Sequence, residues 1–283
     1  MRVKRKLEVC VLSDIHLGTY GCHAKELNEY LNSISPKILV LNGDIIDIWN
    51  FKKSYFPKEH LRVIRNLLKM ASKGTSVYYL TGNHDEALRR FTNWKLGNIH
   101  LRNHLVLNLG EMKAWFFHGD IFDHTIHRAK YIAKMGGWGY DVIILLNRIV
   151  NKFLERIGRK KYSLSKRIKE SVKSAMKFIS DFEKAASDIA ISKKFQFVIC
   201  GHIHQPTIQT IKNDHGSILY LNSGDWIENC TALEYQKGSW SLYKHDLFSN
   251  KTVALQKEDD HLNSVNLTPK ELVSKITEEF LNS

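Results

Sequence analysis

The chain has 283 residues, 43% of them hydrophobic and 25% charged, so it can bury a sizeable core as one large domain with a subdomain. No apolar run approaches the roughly 18 residues of a membrane span, and the basic residues 1–6 lead into a strand rather than a signal core, so a cytoplasmic protein is expected. Cys10, Cys22, Cys200 and Cys230 show no paired or zinc-knuckle spacing, which excludes a disulfide framework and fits a reduced compartment.

Five apolar runs of strand length follow one another along the chain, and each stops at a polar cluster. Residues 7–12 lead into Asp14-Ile15-His16, residues 38–41 into Gly43-Asp44, and residues 77–80 into Gly82-Asn83-His84-Asp85. Residues 115–117 lead into His118-Gly119-Asp120, and residues 197–200 into Gly201-His202-Ile203-His204. Strands ending this way should gather their polar residues at one edge of a sheet, where α/β folds place their sites.

Between the fourth and fifth strands lies a basic insert. From residue 128 to 194 there are 17 Lys and Arg against 6 Asp and Glu, so most of the net charge of +13 belongs to this stretch. Residues 140–157 carry a helical apolar stripe, residues 158–163 break it, and a second helix is predicted from about Ser165 to Ser192 with Ile168, Val172, Ala175, Met176, Ile179, Phe182, Ala186 and Ile189 on its apolar face. Such a hairpin either packs as core or forms a basic, amphipathic lid that could meet an anionic membrane surface. Beyond residue 250, residues 256–263 read as a linker. Thr268-Pro269-Lys270-Glu271 is a capping box opening a short helix to about Leu281.

The five clusters supply seven oxygen and nitrogen donors without a cysteine: Asp14, His16, Asp44, Asn83, His118, His202 and His204. That set suits two hard or borderline divalent ions sharing a carboxylate. Singly, each Asp would be read as a cap and each His as a hydrogen-bonded residue; the ordered arrangement outweighs those readings. Two such ions about 3.5–4 Å apart lower the pKa of a shared water and neutralise phosphate oxygens, so no protein nucleophile is required. Asp120 either holds the turn after His118 or bonds a neighbouring histidine.

In order and content, over roughly residues 7–226, the clusters resemble the calcineurin-like metallophosphoesterase superfamily. The resemblance implies an α/β four-layer sandwich, two mixed β-sheets flanked by helices, with a helical hairpin insertion. It implies one ion held by Asp14, His16 and His204, the other by Asn83, His118 and His202, and Asp44 bridging them. His84 would then stand beside the substrate phosphate as the catalytic imidazole, with Asp85 orienting its ring.

An insertion between the fourth and fifth clusters further resembles the UDP-2,3-diacylglucosamine pyrophosphatases of lipid A biosynthesis, in which a helical lid covers an acyl groove. That branch implies water attack on the α-phosphorus to release UMP and 2,3-diacylglucosamine 1-phosphate. It implies Mn2+, with Fe2+ or Zn2+ suiting the same donors, and a lipid-linked nucleotide-sugar as partner at the inner face of the cytoplasmic membrane. Arg159, Lys160, Lys161, Lys166, Arg167 and Lys169 are the candidates for pyrophosphate contacts. The implied division is a catalytic domain over 1–250, a lid over 125–195 within it, and a linker with a short helix over 251–283. His84 stands where the best-known members carry Arg, and residues 220–228 resemble a sister branch.

The alternatives are a phosphoesterase of the same scaffold acting on phosphoproteins, cyclic nucleotides or nucleic acid, and a non-catalytic interaction scaffold. Charge confined to the insert, without interleaved aromatics, speaks against nucleic acid. All seven donors being present speaks against lost catalysis. No obligatory protein partner is indicated.

Overall fold

Alternation along the strands builds two sheets with a shared core. The computed structural model describes residues 3–48, 55–125 and 164–247, with the side chains of 123–125 and 164–172 outside that description. In chain order the elements are β1 (Arg5–Leu12), α1 (Ala24–Ser33), β2 (Ile34–Asn42), α2 (Lys58–Ser72), β3 (Ser76–Leu80), β4 (Lys95–Leu96), β5 (Ile99–Arg102), β6 (His104–Leu109) and β7 (Met112–Phe117). Then follow α3 (Leu164–Ser192), β8 (Phe197–Cys200), β9 (Thr207–Asn213), β10 (Gly216–Asn222), β11 (Thr231–Gln236) and β12 (Ser239–Lys244). All five strands expected ahead of the polar clusters are present, as β1, β2, β3, β7 and β8.

They do not share one sheet. The first sheet has the order β12-β11-β1-β2-β3-β5-β4 and the second β6-β7-β8-β10-β9. Strands β1, β2 and β3 are mutually parallel in the first, and β7, β8 and β10 are parallel in the second. The expectation of a single sheet edge is therefore corrected: the donors come from the carboxyl ends of strands in two sheets. Both sheets also carry antiparallel strands, so both are mixed.

The sheets face each other through Val9, Val11, Val40, Leu80, Ala114, Phe116, Phe197, Ile199, Leu221 and Leu233, all buried. Every second residue of β8 turns the other way, so Val198 and Cys200 join Phe182, Ala186, Ala190 and Tyr220 in a separate cluster beneath α3. On the far side, α1 and α2 pack on each other and against the first sheet. The result is helices, sheet, sheet, helix, the four-layer α/β arrangement. Cys10 and Cys200 are buried core residues and all four cysteines are free.

Helix α3 coincides closely with the expected second insert helix, but its apolar face is rotated from the expected one. Ala175, Phe182, Ala186 and Ala190 are buried and Ile179 is partly so, whereas Met176 and Ile189, expected on that face, are 67% and 36% exposed. Positions 175, 179, 182, 186 and 190 follow a strict i+3/i+4 stripe, and 176 and 189 lie off it. Over this stretch the helix is a core layer of the main domain.

The first expected insert helix falls in 126–163 and the expected C-terminal linker and helix fall in 248–283; both lie outside the described residues. A compact unit spans Met1–His245, with Asp246–Ser283 forming a second. Among the described residues, no helix is long and apolar enough to cross a membrane.

Phe182 is almost fully buried and its ring meets those of Phe122 and Phe178. Phe182→Ala should therefore destabilise the protein by about 3–5 kcal/mol in chemical denaturation, whereas Met176→Ala should stay within about 0.5 kcal/mol. Equal effects would contradict the observed face of α3.

Candidate metal centre

Each parallel strand delivers its donor by ending in a tight turn. Asp14, His16, Asp44, His202 and His204 all have left-handed backbone, with φ of 50°, 52°, 54°, 68° and 54°. Non-glycine residues rarely adopt this conformation, which costs on the order of 1 kcal/mol each. Five of the seven expected ligands share it, so the turns are held by contacts around them. The Asp14 and His16 amides donate to the carbonyls of Gly43 and Asp44, which ties the first two loops together.

Two triads of donor atoms converge at the strand ends. Asp14, His16 and His204 form one; Asp44, His118 and His202 form another; a third grouping of His16, Asp44 and His84 overlaps both. Within each group the donor atoms lie within 4.8 Å of one another. Asp44 thus stands between the two sites. Asn83, in the loop after β3, is partly buried beside His84 and Asp85.

The carboxylates divide their oxygens between structure and site. Asp14 Oδ2 accepts the His202 amide at 2.9 Å, leaving Oδ1 facing His204 Nε2 at 3.0 Å. Asp44 Oδ1 accepts the His84 amide at 2.8 Å, leaving Oδ2 at 3.3 Å from His118 Nε2 and 3.9 Å from His16 Nε2. His118 is fixed by its Nδ1, 2.8 Å from the Asn42 carbonyl; an Nδ1–H donating there turns Nε2 towards the carboxylates, free to bind an ion once it loses its proton.

Asp14 Oδ1, His16 Nε2 and His118 Nε2 are buried without a hydrogen bond among the described residues. Such atoms are costly unless something else satisfies them. Buried oxygen and imidazole acceptors pointing at one another fit divalent ions.

Glycines permit this density. A Cβ at Gly43, whose φ is +84°, would lie 2.3 Å from His118 Nδ1, and one at Gly82 would lie 2.2 Å from Asp44 Oδ1. Neither position can carry a side chain without displacing a donor.

The ionisable groups of the cluster balance one another's charge. Burial alone would raise the Asp14 carboxyl, but the imidazoles of His204, His118 and His16 hold it well below its ordinary value. Asp44 is lowered likewise, with burial opposed chiefly by His118. Burial disfavours a charged His118, yet the Asp44 carboxylate, helped by Asp14 and Asp120, pushes its pKa up to about 10.

The expected role of Asp85 is corrected. Its Oδ1 accepts the Gly82 amide at 2.6 Å, and its Oδ2 accepts the Ile45 amide at 3.1 Å and the Tyr79 hydroxyl at 2.5 Å. It therefore braces the β2 and β3 loops, and burial raises its pKa. The carboxylate at His84 Nδ1 is Asp47, 3.1 Å away, which also lies 3.4 Å from His16 Nδ1.

Among the described residues, Asp120 pairs with Arg89. The Arg159, Lys160 and Lys161 candidates lie outside the described residues. Lys166, Arg167 and Lys169 occupy the first turns of α3, where side chains are not described.

Asp47 and Asp225 escaped the sequence reading. Asp225 Oδ2 lies 3.7 Å from His204 Nδ1, while its Oδ1 accepts the amides of Ile227, Glu228 and Asn229. The missed signal was repetition: Gly224-Asp225 follows β10 as Gly43-Asp44 follows β2. Asp47 lies one turn beyond Asp44, too close for sequence pattern to separate ligand from support.

Residues 7–206 match the calcineurin-like phosphoesterase family. A UDP-2,3-diacylglucosamine hydrolase of Aliivibrio fischeri is 25% identical over 254 residues, covering 85% of this chain and 99% of its own. Another so named, of Stenotrophomonas maltophilia, is 21% identical over 82% of this chain and 96% of its own. The DNA double-strand break repair protein Mre11 of Methanococcus maripaludis is 24% identical over 88% of this chain but only 65% of its own. Among solved structures, the E. coli phosphoesterase Yfce aligns over 84% of this chain and 99% of its own at 13% identity, with a TM-score of 0.40.

Gly82→Ala should remove metal binding while leaving the far-UV spectrum native, because the added methyl displaces Asp44 rather than a core residue; full metal content by elemental analysis would contradict the cradle. The raised His118 pKa gives a second expectation. At pH 7 the metal-free imidazole is protonated, an ion at Nε2 must displace that proton, and Asp14 and Asp44 stay ionised because their pKa values are lowered. Metal affinity should then rise with pH by up to about tenfold per unit from pH 6 towards 9, with proton release detected by calorimetry in buffers of different ionisation enthalpy. A pH-independent affinity would refute it.

Proposed function

As a member of the calcineurin-like phosphoesterase family, the chain is a metal-dependent hydrolase of phosphoester bonds, and we propose that it cleaves the pyrophosphate of UDP-2,3-diacylglucosamine to UMP and 2,3-diacylglucosamine 1-phosphate. The observation that carries the substrate is similarity over nearly the full length of several relatives bearing that hydrolase name.

In this reading Asp14, His16 and His204 hold one ion, Asn83, His118 and His202 hold the other, and Asp44 serves both. When bound, the ions, Mn2+ on this proposal, supply an activated water and neutralise phosphate oxygens. The chain's own contribution is positioning. His84, with the Asp47 carboxylate at its Nδ1, is oriented to donate to a phosphate or leaving oxygen from Nε2. Asp85 keeps the Gly82 loop in register, so it supports the site rather than orienting His84.

The acyl lid falls to the part of 125–195 preceding the packed stretch of α3. Arg159, Lys160, Lys161, Lys166, Arg167 and Lys169 are its proposed phosphate contacts, at the inner face of the cytoplasmic membrane.

A second reading, cleavage of nucleic-acid phosphodiesters, is favoured by the Mre11 relative and the net charge of +13. One assay separates them. The purified protein with Mn2+ should release UMP from UDP-2,3-diacylglucosamine faster than from a non-acylated UDP-sugar, and Asp44→Ala should abolish it. Hydrolysis of single- or double-stranded DNA with no UMP release would transfer the assignment to the second reading.

A further inference from the structure

His84 belongs to the metal cluster and also lines an open cavity of about 500 Å³ with Ile48, Glu86, Ala87, Arg89 and Arg90. The cavity thus begins at the edge of the donor cluster and runs along the 3-10 turn Glu86–Phe91 that follows the Gly82 loop. Its two arginines differ in kind. Arg90 bonds its own turn at the Ala87 carbonyl and is exposed, with no carboxylate partner among the described residues. Arg89 is held: its Nη2 donates to Asp120 Oδ2, and the Asp120 side chain is only 10% exposed.

That ion pair explains what Asp120 does. It fixes one edge of the guanidinium, so the planar fork is oriented before any ligand arrives. A guanidinium has five N–H groups, and among the described residues only Nη2 is engaged. The Arg89 Nε is buried, but the side chain as a whole remains 38% exposed and lines the cavity, so the guanidinium meets the cavity through its terminal Nη groups. Glu86 lines the same cavity, which gives two cations against one acid there, besides the half-buried Asp120.

A single phosphate needs only the ions and His84. A second phosphate, joined to the first, would extend along the cavity towards the arginines. We infer that Arg89, pre-oriented by Asp120, is the specificity-determining contact for a second phosphate of the substrate, so that the site favours diphosphates over monophosphates. This rests on the site being a phosphoester hydrolase, and is independent of the base, sugar or acyl chains.

The test is calorimetric binding of two ligand pairs, UDP with UMP and ADP with AMP, to the Mn2+-loaded full chain. Wild type should bind each diphosphate about tenfold tighter than its monophosphate, and Arg89→Gln should remove most of that margin in both pairs while shifting monophosphate affinity little. Arg89→Lys, which keeps the charge and a donor to Asp120 but loses the fork, should retain part of the margin and guards against a misfolded Gln variant. The inference is overturned if wild type shows no diphosphate margin, or if the variants weaken monophosphate and diphosphate equally. The uridine reading is judged separately, by whether UDP exceeds ADP.

Discussion

Two carboxylates withdrawn from water govern this molecule. Asp14 and Asp44 are 0% and 1% exposed and share one cluster with five imidazoles. Burying anions is expensive unless positive charge and hydrogen bonds meet them. A protonated His118 can supply that charge, and the buried carboxylates raise its pKa accordingly; divalent cations held at the same place would supply it instead. The same requirement selects the neighbours: each carboxylate spends one oxygen on the amide of another loop of the cluster and turns the other towards imidazole nitrogens.

The fold can be understood as the means of meeting that requirement. Six parallel strand ends in two sheets bring six loops to one place, and the inter-sheet core fixes their separation. Left-handed turns then point the side chains inward, and the strain they hold is offset by burial elsewhere. Because Gly43 and Gly82 lie against His118 and Asp44, the site is packed as tightly as the core beneath it. Helix α3 contributes from outside: Phe182 backs Gly119, which follows His118.

Beyond the donors is a ring of carboxylates that the histidines and loops depend on. Asp47 serves His16 and His84, Asp225 faces His204, Asp85 braces the loops after β2 and β3, and Asp120 holds Arg89. Their chemistry is identical and their roles differ by what each one touches. That is the physical reason neighbours in the chain did not reveal the partners of Asp85 and Asp120: adjacency along the backbone does not determine which way a carboxylate turns.

The sequence by itself determined the elements that depend on local pattern. Apolar runs of strand length followed by Asp, Asn or His identified five strands and the polar clusters at their ends, because a strand and the residues that follow it are both local properties. It also located α3, whose helical period is visible in 175–190. Only the tertiary structure decided what depends on distant residues meeting. The division of β1, β2 and β3 from β7 and β8 into two sheets, the rotation of α3 that exposes Met176, the pairing of Asp47 with His84 and of Asp120 with Arg89 are contacts between segments far apart or differently turned in space. No periodicity encodes them, since they follow from which faces the core buries first.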